Sequence, residues 1–213
     1  MNSPEHIDLN LVEEKKELSK LQNLLDTCKT EYLLYAWSNA RYYYETLELI
    51  TKKYPIVAER DTFFNSEITL FRKGAKSNDT IAFDTTGTFS ETPFLTDKQK
   101  EFKVILNKEI NELNLSDNNQ VVAEVELNAP DSLQDVELVI NFENFSENVG
   151  WNGIPVKYFY RPGKPLHALL TSKVPDDRNS LLKVFIWNPK KRNLSIGNYK
   201  VTIKKRNPLY RTF

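Results

Sequence analysis

The sequence has few of the residue types on which metal and catalytic sites commonly depend. Cys28 is the only cysteine among 213 residues, so no disulfide can form within the chain and no cysteine-based zinc site can assemble. His6 and His167 are the only histidines and lie far apart in sequence, which leaves little material for histidine catalysis or multi-histidine metal binding. No apolar run reaches the roughly 18 residues of a membrane-spanning helix.

Targeting signals are equally sparse. The N-terminal residues show no basic stretch followed by an apolar one, so no signal peptide is predicted. We therefore weigh a cytoplasmic protein against a soluble piece of a longer, membrane-anchored protein. Met1 is the only methionine, which fits a start codon added to such a piece.

Charge is balanced overall but unevenly distributed. Residues 183–213 carry nine basic and no acidic side chains, while the chain as a whole has a net charge of zero. This basic end would suit a phosphate, an acidic glycan, a lipid headgroup or an acidic partner. We favour a solvated sheet edge, because lysines on edge strands discourage edge-to-edge pairing. The near-neutral pI of about 6.8 and the lack of interleaved aromatic residues argue against nucleic acid as a partner.

The first 60 residues are predicted to form a helical stalk. Apolar residues recur at heptad spacing over residues 8–53, no glycine or proline interrupts residues 5–54, and Pro55 ends the segment. A long coiled-coil helix is one interpretation, and a hairpin broken near Asp26 is the other. The stalk would self-associate or bind a protein partner through an interface of Leu11, Leu18, Leu21, Leu25, Tyr32, Tyr35, Trp37 and Tyr42.

From residue 62 the apolar pattern changes to a period of two, which is typical of strands. Turn residues such as Asn, Asp, Gly and Pro separate the runs. Eight or nine short strands without βαβ alternation predict a jelly-roll β-sandwich over residues 61–213, and hence a mainly β chain. The predicted strands are 67–72, 80–84, 102–107, 121–128, 136–143, 154–160, 166–171, 181–187 and 199–205.

The last two predicted strands carry a family resemblance. Residues 183–191 (KVFIWNPKK) and 198–203 (NYKVTI) resemble the ending of jelly-roll domains similar to carbohydrate-binding modules, found on surface and periplasmic proteins of polysaccharide-foraging Gram-negative bacteria. The acidic pair common in that ending is replaced here by Gly197 and Asn198. The resemblance implies a location in the cell envelope, as the soluble part of an anchored protein whose anchor is absent from this chain.

Such modules bind sugars by stacking an exposed aromatic ring on the apolar face of a pyranose, while amides and carboxylates bond its hydroxyls. The predicted glycan site contains Trp151, between two glycines in a loop-like segment, with Asn152, Tyr158, Tyr160 and Arg161. The alternative for Trp151 is a lid folded back on the sandwich. We predict that Trp187 faces the core and that Asn188 and Pro189 form the following turn.

Catalytic and cofactor signals are weak. Carboxylates at Glu143, Asp176 and Asp177 could serve glycoside hydrolysis only if two of them shared a cleft. No cofactor is predicted, although jelly-roll modules often bind a structural Ca²⁺, for which Asp79 and Asp84 offer oxygen ligands. We expect a non-catalytic interaction or assembly protein of the cell envelope, with a glycan-binding module as the alternative and a glycoside hydrolase as a less favoured one.

Overall fold

The structure is a computed structural model that describes residues 17–38, 42–64, 66–74, 81–88, 101–113, 115, 119–128, 133–144, 147–175, 180–206 and 209. The chain is mainly β. Its described part contains two α-helices and eleven strands in three antiparallel sheets. It divides into two compact units, Met1–Ser77 (unit 1) and Asn78–Phe213 (unit 2).

Unit 1 combines two short helices with a three-stranded sheet of order β1-β3-β2. Its elements, in chain order, are α1 (Glu17–Thr27), β1 (Tyr32–Ser38), α2 (Tyr43–Lys53), β2 (Ile56–Phe63) and β3 (Ser66–Arg72).

The predicted long helix over residues 8–53 is wrong. The residues between α1 and α2 form strand β1 because YLLYAWS is uncharged, rich in aromatic residues and able to bury alternate side chains, with Tyr35 and Trp37 inside and Leu34 and Ala36 outside. Apolar residues at positions 32, 35 and 42 continued the heptad spacing of α1 only by coincidence. The predicted coiled-coil seam therefore does not continue beyond α1 in the described residues.

The residues assigned to the stalk interface have different positions. Leu18, Leu21, Leu25, Tyr35 and Trp37 are buried within the chain. Tyr32 is partly exposed, Tyr42 is half-buried just before α2, and Leu11 lies outside the described residues. An interface role for them stays a prediction.

The interior of unit 1 encloses a carboxylate. Glu67 on β3 is fully buried and accepts hydrogen bonds from the Tyr43 hydroxyl (3.1 Å), Arg60 Nη2 (2.8 Å) and Thr69 Oγ1 (2.5 Å). Burial alone would raise the pKa of Glu67, but the bonds from Arg60, Thr69 and Tyr43 outweigh it and hold that pKa below the ordinary value. Burial and the neighbouring charge of Glu67 raise the pKa of Tyr43 to about 12. Burial also raises the pKa of Tyr35.

Unit 2 contains two four-stranded antiparallel sheets, of order β4-β11-β6-β9 and β5-β10-β7-β8. Successive strands alternate between the sheets except for the β7–β8 pair, which gives a jelly-roll-like β-sandwich. The strands are β4 (Ile81–Thr88), β5 (Phe102–Glu109), β6 (Asn119–Asn128), β7 (Glu137–Asn144), β8 (Glu147–Pro155), β9 (Leu166–Lys173), β10 (Leu181–Trp187) and β11 (Ser195–Lys205).

Strand alternation builds the core of the sandwich. On β7, Leu138 and Ile140 are fully buried, and on β10 Leu182, Val184 and Ile186 are. The intervening residues of β10, Phe185 and Trp187, face the other side of the sheet. The prediction that Trp187 faces the core is therefore wrong.

Two predicted boundaries also differ from the structure. Residues 67–72 form β3 of unit 1 rather than a strand of the sandwich, and the predicted division at 60/61 falls inside β2. The predicted strand 154–160 ends at Pro155, after which Val156–Phe159 form a 3-10 turn. Tyr158 and Tyr160 therefore do not share a strand face.

The turn after β10 is fixed by Asn188. Its buried side chain accepts a bond from the Arg192 backbone N–H (2.9 Å) and donates one to the Arg192 carbonyl (2.9 Å). Arg192 and Lys190 in turn pair with Asp135, at 2.7 and 3.1 Å. Lys190 and Arg192, two of the three cations of residues 190–192, thus share the single negative charge of Asp135.

Candidate functional site

An aromatic patch lies on the outer face of the β5-β10-β7-β8 sheet. It consists of Phe102 and Val104 on β5, Phe185 and Trp187 on β10, and Trp151 on β8. Phe102 pairs with Trp187 and Val104 with Phe185 across β5 and β10, so these four side chains share one face. Phe102, Val104 and Trp151 are 46–49% exposed. Large apolar side chains that are exposed together mark a binding surface more often than scattered ones do.

The rings of the patch contact each other edge to face. Trp151 lies 5.4 Å from Phe185 and 5.9 Å from Trp187, measured between ring centroids, with interplanar angles of 67° and 89°. Phe102 lies 5.6 Å from Phe185 at 74°. Such contacts stabilise the rings by roughly 0.5–1.5 kcal/mol each beyond area burial. The contacting rings are steeply inclined to one another, so they do not form one flat platform.

Gly153 makes room for the indole of Trp151. A Cβ at position 153 would lie 3.2 Å from Trp151 Nε1 and 2.6 Å from Glu137 Oε2, so any side chain there would displace one of these groups. On the same row, Gly153 faces Val139 and Val139 faces Phe185. Val139 is fully buried even though it points to the outer face. The missing side chain therefore lets the indole and a carboxylate approach the same point.

Polar groups surround the patch. The Trp187 indole donates a hydrogen bond to Glu101 Oε1 (3.2 Å). Lys183 pairs with Glu143, and Asn141 Nδ2 donates to Glu143 Oε1 (3.0 Å). Burial raises the pKa of Glu137, and the charge of Lys157 only partly offsets that effect. The patch thus combines exposed rings with carboxylates and cations at its rim, whereas the Asn141 amide is buried.

Only one of the predicted glycan-site residues belongs to this patch. Trp151 is 46% exposed and packs against Phe185 and Trp187 on the outer face of the sheet, and its role in glycan binding stays a prediction. Asn152 instead donates to the Thr171 carbonyl on β9 (2.6 Å). Tyr158 and Arg161 are buried, and Tyr160 is half-buried beyond the 3-10 turn.

The sequence-based prediction missed Phe102, Phe185, Trp187 and Glu137. A usable signal existed, since Leu182, Val184 and Ile186 fix the parity of β10 and leave Phe185 and Trp187 on the opposite face.

The other candidate chemistry is not assembled in the part of the chain that the structure describes. Within it, no group of three or more His, Cys, Asp or Glu side chains could hold a metal ion. Asp79, Asp176 and Asp177 lie outside the described residues, as does the side chain of Asp84. None of the described helices is both long enough and apolar enough to cross a membrane.

No family model and no curated protein matches the chain. Among solved structures, it is similar to the VP2 subviral particle protein of infectious bursal disease virus, with 8% identity and a TM-score of 0.35 over 66% of this chain and 36% of that one. It is also similar to the tobacco streak virus coat protein dimer, with 12% identity and a TM-score of 0.27 over 64% of this chain and 94% of that one. A second structure of that coat protein gives 9% identity and a TM-score of 0.21, over 87% of this chain and 94% of that one. Similarities at this level carry no argument about function.

Proposed function

We propose that this chain is a non-catalytic binding protein, that the aromatic patch is its binding surface and that its ligand is a glycan. The observation that carries the proposal is the exposed indole of Trp151, held by Phe185 and Trp187 beside the carboxylate of Glu137. The resemblance of β10 and β11 to carbohydrate-binding modules supports it, and so does the jelly-roll-like strand order. The same resemblance supports a location in the cell envelope.

The chemistry of the patch suits a sugar. A pyranose has apolar C–H faces that pack on an aromatic ring and hydroxyls that bond carboxylates and amides. Trp151 offers the ring, and Glu137 offers an acceptor close to the indole nitrogen. Because the contacting rings are edge to face, the patch fits one or two sugar units at Trp151 better than the flat surface of a crystalline polysaccharide.

The test is affinity electrophoresis of the full chain in gels that contain a panel of soluble polysaccharides, followed by calorimetry on those that retard it. We expect Trp151→Ala to weaken binding at least about tenfold, since aromatic anchors dominate binding energy. Glu137→Gln should weaken it less. Phe63→Ala is the matched control, because Phe63 is a comparably exposed aromatic residue in unit 1, and it should leave binding unchanged.

Two results would overturn the proposal. One is a folded protein that no polysaccharide of the panel retards, and the other is a Trp151→Ala variant that binds as tightly as the wild type.

An interaction or assembly protein that binds a protein partner through the same patch is the second candidate. It is favoured by the extent of the patch, since Phe102 and Val104 lie on β5, three strands away from Trp151 on β8. An exposed apolar surface of this width with a charged rim resembles a protein interface. Phe102→Ala would then weaken partner binding about as much as Trp151→Ala, whereas a sugar bound at Trp151 would be little affected.

A further inference from the structure

The two edges of the unit 1 sheet differ in their protection. β2 forms one edge and carries Glu59, Arg60 and Asp61 together with a register shift between Val57 and Glu59. Charges and bulges of this kind keep edge strands from pairing with other chains. β1 forms the other edge, with seven residues in continuous register against β3 and no charge, proline or bulge.

The hydrogen-bond pattern shows which groups of β1 point outward. Lys73 N donates to the Glu31 carbonyl (3.0 Å), so 31 and 73 form a hydrogen-bonded pair of the antiparallel ladder. Alternation then directs the backbone groups of 33, 35 and 37 toward β3 and those of 32, 34, 36 and 38 toward the open edge. The carbonyl of Tyr32 accepts a hydrogen bond from the Thr30 hydroxyl (2.8 Å). Within the described residues, β3 is the only strand bonded to β1, which leaves the amide and carbonyl groups of Leu34 and Ala36 available.

The side chains of this edge are apolar and exposed as well. Leu34 is 66% exposed and Tyr32 44%, on the face opposite the buried Tyr35 and Trp37. A partner must therefore supply an extended strand whose outer face is also apolar.

We propose that β1 is a dimerisation strand, which pairs with β1 of a second copy of this chain about a two-fold axis at Leu34. When a strand pairs antiparallel with its equivalent about a two-fold axis that passes through a residue, each residue lies opposite a residue whose side chain is on the same face of the strand. An axis at Leu34 places Leu34 against its own equivalent and Tyr32 against Ala36, so a large side chain meets a small one. Leu34 would exchange both bonds with its equivalent, and Ala36 would bond the outward amide and carbonyl of Tyr32, whose oxygen has a second lone pair beside the Thr30 hydroxyl. The two three-stranded sheets would then become one of six strands.

A second copy fits this edge better than a charged peptide does. β1 carries no charge, so pairing β1 with β1 of a second copy causes no like-charge repulsion. If β2 paired with β2 of a second copy, several registers would place Glu59 or Asp61 opposite an acidic residue of the other copy. An isologous contact of this kind closes at two copies, because both copies use the same edge to make it.

The first experiment measures the mass of the full chain in solution by light scattering over a range of concentrations. We expect twice the chain mass of 24.8 kDa. Ala36→Pro removes an outward N–H without touching the bonds to β3, and Leu34→Lys places a charge on the edge; each should halve the mass. Ile68→Lys is the control, since Ile68 is exposed on the same face of the central strand β3, and it should stay dimeric.

A disulfide tests the register. Residues opposite one another in a hydrogen-bonded antiparallel pair have Cα atoms about 5.5 Å apart, which a disulfide can bridge. In a Cys28→Ser background, Leu34→Cys should therefore cross-link two copies under mild oxidation, and Ile68→Cys should not.

A wild type that is monomeric at every concentration overturns the proposal. A dimer that survives Ala36→Pro and Leu34→Lys but is lost in Ile68→Lys overturns it too, because the contact would then be through the sheet face. Circular dichroism on each variant confirms folding. These results do not depend on glycan binding, which concerns a different unit.

Discussion

The two units bury different chemistry. In unit 1, Glu45, Glu48 and Glu67 are all buried, and Glu67 is held by Arg60 at the centre of a hydrogen-bonded cluster. The described part of unit 2 buries no carboxylate, and alternating aliphatic side chains fill its interior. Unit 1 therefore adds a hydrogen-bonded ionic cluster to its apolar core, whereas the described core of unit 2 contains no carboxylate. The surfaces differ in the opposite sense. Unit 1 exposes an apolar strand edge at β1, whereas charged side chains surround the exposed rings of unit 2.

The largest effect is expected in the core of unit 2. Ile140→Ala should lower the free energy of unfolding by about 4 kcal/mol, because it leaves a cavity at a fully buried position of a central strand. Hydrogen exchange read separately on peptides from β7 and from β3 would show the loss in unit 2. Val104→Ala, at an exposed position of the same sheet, should change stability by less than about 0.5 kcal/mol. Equal losses in the two variants would mean that position 140 is not packed as the structure shows.

A somewhat smaller loss is expected from Glu67→Gln in unit 1. The amide cannot carry the charge that pairs with Arg60, so the free energy of unfolding should fall by about 3 kcal/mol. Exchange should rise in β3 and in the strands paired with it, and Glu59→Gln on the exposed edge provides the control. If the two variants were equally stable, the buried cluster would not hold unit 1 together.

The smallest effect is expected from acid, which should lower the free energy of unfolding of unit 1 more than that of unit 2. The folded pKa of Glu67 is lowered, so the unfolded state binds its proton first as the pH falls. The stabilisation is fully present above the unfolded pKa of about 4.3 and is lost as the pH falls through the folded value. Denaturant titrations between neutral pH and pH 3 should show this loss in the wild type and a weaker one in Glu67→Gln. Parallel pH profiles of the two proteins would assign the acid sensitivity to other groups.

The sequence predicted unit 2 better than unit 1, for a physical reason. On β6 and β10, alternation of apolar residues is a local property of the strand, so 121–128 and 181–187 were identified directly. β1 is stabilised by pairing with β3, some thirty residues further along the chain, and its aromatic residues happen to continue a helical spacing. A local pattern contains no information about that pairing.

The candidate site shows the same limit. Trp151 could be identified because glycines flank it, but Phe102 and Trp187 meet only through the register of β5 and β10. The parity of β10 was visible in the sequence, yet the size of Trp187 suggested burial. The packing of the two sheets decides which of the two faces of β10 is buried.

The geometry of the two tryptophans in unit 2 has an optical consequence. Indole rings 5.9 Å apart and inclined at 89° couple as excitons, so Trp151 and Trp187 should give a paired positive and negative band in the circular dichroism spectrum. Trp37, the third tryptophan of the chain, is in unit 1 and buried there. A ligand that turns the ring of Trp151 would change the amplitude of the pair, which makes the protein its own unlabelled sensor of whatever binds there.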